Sequence, residues 1–132
     1  MTTLATRFAL TPAPSELAPL LRSARMWVLA ARSGRPARDA IAPLLGRRGA
    51  AAFSTLMEAL VVAWTEPFVA HPPCAANATA DEMTLLALLA AGDADERAGS
   101  DWLLGEMLPP ADVGRLHALA ARAMAEISFP LA

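Results

Sequence analysis

The chain has 132 residues, 55% of them hydrophobic, which is enough for one domain with a substantial core. A single cysteine, Cys74, excludes an internal disulfide framework and suits a reducing, cytoplasmic setting. The formal net charge of −2 hides a split: residues 1–50 carry a balance of +6, all of it from arginine, and the remainder carries −8. Such a split predicts that the halves dock on each other or that the basic half meets something acidic.

In chain order, residues 1–14 are punctuated by Pro12 and Pro14 and read as a mobile N-terminal arm, with 15–132 as one domain. The start lacks the charged segment and long apolar run of a signal peptide. Ser15 offers an N-cap for a helix to about Arg32, with Leu17, Leu20, Leu21, Ala24, Val28 and Ala31 as its apolar stripe and Trp27 beside it. Ser33-Gly34-Arg35-Pro36 ends it, because glycine caps C-termini and proline cannot continue a helix. A short helix over 37–45 follows, bent by Pro43 and stopped by Gly46.

The third helix, over about 50–65, is the most apolar. Phe53, Leu56, Met57, Leu60 and Trp64 share one face, and Val61 and Val62 make it apolar nearly all round. Such a helix belongs in the middle of a bundle or in a subunit contact. Glu58, Glu66 and Pro67 in and after it exclude a membrane span, which needs about 20 uncharged residues. After a loop containing His71-Pro72-Pro73-Cys74, Thr79 and Glu82 have the spacing of a capping box for a helix stopped by Gly92. Asp93-Ala94-Asp95-Glu96 begins a fifth helix to about Leu108, weakened by Gly99 and Gly105. After Pro109-Pro110 a last helix carries Val113, Leu116, Ala120, Ala123 and Ile127 on one face, with Asp112–Arg115 and Arg122–Glu126 as exposed pairs. No stretch alternates with period two, so the expected fold is an all-α bundle of five to six helices.

The stretch from about Arg22 to Ala120 resembles a family of short helical alphaproteobacterial proteins of unassigned function. The resemblance rests on Pro72-Pro73-Cys74, then Thr79-Ala80-Asp81-Glu82 and Leu85-Leu86, preceded by a basic helix pair and an apolar central helix. It implies a cytosolic, non-membrane protein and supplies no activity and no site residues.

Chemistry is sparse. No phosphate-binding glycine loop, paired-carboxylate site or HExxH pattern is present, so neither an enzyme nor a cofactor is expected. His71 and Cys74 have the spacing of two metal ligands, but a structural zinc needs four and only His117 remains. Trp27, Trp64 and Trp102 come from three helices and either pack in the core or line an aromatic pocket. Residues 38–55 loosely resemble a helix-turn-helix, although Ser54 and Thr55 are the only base-reading side chains early in its second helix.

Three functions follow from these features. The first is a regulatory interaction protein, homodimeric, using the Phe53, Leu56, Met57, Leu60 and Trp64 face, with arginine–carboxylate complementarity fixing the register. The second is a nucleic-acid-associated regulator using Arg22, Arg25, Arg32, Arg35, Arg38, Arg47 and Arg48. The third is a small-molecule or metal-binding module around His71 and Cys74.

Overall fold

The computed structural model describes residues 14–129; apart from Pro14, the arm expected over 1–14 lies outside them. The described chain forms α1 (Pro14–Arg32), α2 (Ala37–Ala63), α3 (Ala80–Asp93), α4 (Arg97–Leu104) and α5 (Pro110–Glu126), with no strand. None of these helices is long and apolar enough to cross a membrane.

The stop of α1 follows the glycine rule in detail. Gly34 has φ +69°, the Gly34 N–H bonds the Ala31 carbonyl, and the Arg35 N–H bonds the Ala30 carbonyl, the two bonds of a Schellman motif. The region after it departs from expectation. Helix resumes immediately beyond Gly46, so α2 is one long element broken at that residue alone (φ 79°, ψ 163°). Only glycine adopts that conformation without strain. A single-residue break is not the three- to four-residue turn of a helix-turn-helix, so residues 38–55 do not form that motif.

Gly92 also has a different role. The capping box at Thr79 and Glu82 forms as expected, but α3 runs past Gly92 to Asp93. The left-handed residue that ends it is Asp95, at φ 52°, with Asp95 N–H bonded to the Gly92 carbonyl and Glu96 N–H to the Ala91 carbonyl. Gly92 is needed for a close crossing: a Cβ there would lie 2.6 Å from the Ala121 nitrogen and 2.9 Å from the Ala120 Cβ on α5. The helix expected to reach Leu108 ends at Leu104, and Pro110 opens α5 where its missing N–H costs nothing.

α5 packs against both α2 and α3, while α1 covers α2 and reaches α3. The core is Leu20, Ala24, Trp27 and Val28 of α1, the apolar face of α2, Leu85, Leu86, Leu88 and Leu89 of α3, Leu104, and Val113, Leu116, Ala120 and Ala123 of α5. Phe53, Leu56, Met57 and Leu60 are fully buried and Trp64 is 9% exposed. This corrects the interface expectation: the greasy face is consumed by the protein's own core and presents nothing to a partner. Its burial against α1 and α5 contributes on the order of 1.5–3 kcal/mol per large side chain.

Replacing Gly92 by alanine is expected to destabilise the protein by about 1–3 kcal/mol, because the new methyl meets α5 backbone that cannot retreat without repacking the core. Urea denaturation measures this as a lower midpoint at unchanged slope.

Candidate functional site

The segment between α2 and α3, residues 64–79, has no regular structure yet is tightly held, as long irregular loops in functional roles often are. Its anchor is Arg25 of α1, 3% exposed, which meets Glu82 of α3, fully buried. Arg25 Nε donates to Glu82 Oε2 at 2.9 Å, and Nη2 donates to Oε1 at 3.2 Å. Two of the three remaining guanidinium hydrogens reach the loop backbone: Nη1 donates to the Ala75 carbonyl at 2.8 Å and Nη2 to the Asn77 carbonyl at 2.9 Å. Glu82 in turn accepts the Thr79 N–H at 2.8 Å and the His71 N–H at 3.1 Å. Each carboxylate oxygen therefore receives two hydrogens, which fills its lone-pair directions.

Further side chains pin the upstream half of the loop. Arg32 Nη2 donates to the Phe68 carbonyl at 2.9 Å, Asp81 Oδ2 accepts the Val69 N–H at 2.8 Å, and the Thr79 hydroxyl donates to the Val69 carbonyl at 2.7 Å. Phe68 is buried, with its ring centroid 5.6 Å from that of Trp64.

Held this way, the loop makes a wall beside the outer side of α1. Val28, Leu29 and Arg32 face Ala70, His71, Pro72 and Pro73 across a hollow of about 270 Å³. A second hollow of about 280 Å³ lies between Val28, Ala31 and Arg32 on one side and Val61, Pro67 and Phe68 on the other. Val28 and Arg32 belong to both, so the two form one apolar trough. Leu29 is 47% exposed in it, and Arg22, seven residues earlier on the same helix stripe, is exposed. On the α3–α4 side of residues 64–69, a groove of about 500 Å³ is lined by Trp64, Trp102, Met107, Asp81 and Glu106. Two of the three tryptophans thus share that groove, while Trp27 is buried at the edge of the second hollow and donates to the Ser54 hydroxyl at 3.0 Å.

The residues singled out from sequence are dispersed. His71 is half-buried at the trough and Cys74 is exposed; no group of three metal-ligating side chains occurs among the described residues. Arg25 leaves the basic patch for the interior. Arg22, Arg32, Arg35, Arg38, Arg47 and Arg48 remain exposed. The pairs Asp112–Arg115 and Arg122–Glu126 do not come within ion-pair distance, and Glu58 is exposed and needs no partner.

His117 has partners that its position in sequence did not reveal. The Ser100 hydroxyl lies 2.6 Å from Nδ1, and Asp95 Oδ1 lies 3.2 Å from Nε2. The trio has the residue types of an acyl-transfer triad with its exposure reversed. Ser100 is fully buried and Asp95 is 90% exposed, so the hydroxyl has no approach for a substrate. Its physical role is to tie the turn after α3, where Asp95 is left-handed, to α5.

Burial would raise the pKa of Glu82, but the hydrogen bonds from Arg25, Thr79 and His71 outweigh it and hold the carboxyl below its ordinary value. A carboxyl depressed in the folded state stabilises the fold above its unfolded pKa, and that stability is lost as pH falls through the folded value. Folding free energy should therefore fall on acidification below the ordinary carboxylate range, and Glu82→Gln should remove part of that slope while lowering stability at neutral pH. Arg25→Ala, which strands a buried carboxylate, should cost about 3–5 kcal/mol. Denaturation of the three proteins at several pH values provides the check.

Comparison with protein-family models, with curated proteins and with solved structures finds no significant match, so the arrangement is assigned to no family.

Proposed function

We propose that the protein is a non-enzymatic interaction protein that works as a homodimer in the cytosol, with a regulatory role. Its contact surface is the trough on α1 together with the acidic aromatic groove beside it. The observation that carries this reading is their adjacency. Both border residues 64–69, one lined by Arg32 and the other by Asp81 and Glu106. A two-fold axis passing near that segment would set each copy's trough against the other copy's groove, making the self-complementary surface that a cyclic dimer needs.

The exposures support the same reading. Leu29 (47%), Val69 (54%) and Trp102 (41%) are three of the four large hydrophobic side chains left exposed among the described residues, and all border this region. Burying them supplies the driving force, while the arginines and carboxylates at the rim set register and encounter rate. A lone, exposed Cys74 suits a reducing compartment.

Light scattering on a sizing column is expected to give a mass that rises with concentration from the 13.8 kDa of one chain toward twice that value. Leu29→Glu is expected to hold the protein at the lower mass without changing its thermal midpoint, because the side chain is half exposed in the single chain. A wild-type protein that stays at one chain's mass at every concentration and at low salt would remove the reading.

A further inference from the structure

On the far side of α2 from α1, against α5, lies a groove of about 410 Å³ that the dimer reading does not use. It is lined by Arg38, Arg48 and Arg122, with Ala51, Ala52, Thr55, Leu119 and Glu126. Arg48, Ala51, Ala52 and Thr55 are one helix stripe of α2, and Leu119, Arg122 and Glu126 are the facing stripe of α5. From these observations we infer that this groove is a binding site for a small molecule bearing a phosphate group.

Charge is the first support. The chain has more carboxylates than arginines, yet none of these three guanidinium groups has an ion-pair or hydrogen-bond partner among the described residues. Even Glu126, in the same groove and one helical turn from Arg122, stays beyond ion-pair distance of it. Three like charges left unneutralised around one concavity suit a multiply charged anion, and the guanidinium fork matches phosphate oxygens in pairs.

Construction is the second support. Arg38 and Arg48 are ten residues apart, and on a straight helix they would lie about 15 Å apart along the axis. The break at Gly46 lets both line one groove. That break is fixed in place by the end of α5. The Ser128 N–H donates to the Leu45 carbonyl at 2.9 Å, and Gly49 sits so close that a Cβ would lie 2.7 Å from the Ile127 Cα. A backbone conformation open only to glycine thus sets where Arg38 and Arg48 leave the backbone before any ligand arrives.

The dimensions favour a small ligand over a nucleic acid. The volume lies in the range of small-molecule pockets, and alanines at positions 51 and 52 leave its floor open. Glu126 at the groove and exposed Glu58, one turn beyond Thr55, would repel a polyanion extended along α2. With a small phosphate ester, Glu126 can instead accept a hydrogen bond from a ligand hydroxyl.

The test is a titration of the full chain, followed at the arginine Nε–H resonances by NMR, with inorganic phosphate, ribose 5-phosphate and a random-sequence DNA duplex as separate ligands. Saturable shifts are expected at Arg38, Arg48 and Arg122 and not at Arg35 or Arg115. Arg122→Gln should weaken phosphate binding about tenfold and Arg122→Lys less, since lysine keeps the charge but loses the fork. Both variants should keep the wild-type circular dichroism. Tighter binding of ribose 5-phosphate than of inorganic phosphate would support a phosphate ester as the ligand, and equal binding would support the free anion. Shifts spread equally over Arg35 and Arg115, the absence of saturation, or a duplex that binds more tightly with a steep salt dependence would each overturn the inference.

Discussion

A buried charge must be neutralised and fully hydrogen-bonded or it unfolds its surroundings, and in this protein that constraint falls on Arg25 and Glu82. The four donors that Glu82 receives and the two carbonyls that Arg25 reaches come from α1 and the loop between α2 and α3, while Glu82 itself stands on α3. The pair is therefore a joint among three parts of the chain. Without it, the backbone of residues 71–79 would have little reason to prefer one path, since it has neither helix nor strand to satisfy its polar groups.

This joint links folding to the surface. The loop that it holds supplies one wall of the trough, so the position of Pro72 and Pro73 relative to Leu29 follows from bonds made in the interior. Arg32 and Asp81 extend the same logic to Phe68 and Val69, where the trough and the acidic groove meet. On the other side of the molecule, the break at Gly46, pinned by Ser128, does for the arginine groove what the ion pair does for the trough. In both places an irregular backbone is specified by contacts distant in sequence.

That difference explains what could be read from the residues alone. The Gly34 stop, the Thr79–Glu82 cap and the stripe of α5 from Val113 to Ala123 depend on neighbours within a turn or two and appear where the pattern places them, while Ile127 falls just past the helix end. Glu82 was legible as a cap, but its partnership with Arg25, 57 positions away, leaves no local mark. The apolar face of α2 looks the same in sequence whether α1 and α5 or a second chain covers it; only the packing decides for the core. Gly92 reads as a stop signal because glycines often end helices, whereas here the space taken up by α5 requires it. The basic half likewise separates only in three dimensions. Arg25 is structural, while Arg38 and Arg48 join Arg122 from the acidic half in one groove.

Native-state hydrogen exchange at the amides of His71 and Thr79 tests this account most directly. Both amides lie in a loop, and both donate to Glu82. If the ion pair is the joint that holds the loop, they should exchange only through openings about as costly as those that expose the amide of Leu88 in the middle of α3. Exchange at open-chain rates for both, with Leu88 still protected, would contradict it: the loop would then be held by something other than the buried pair.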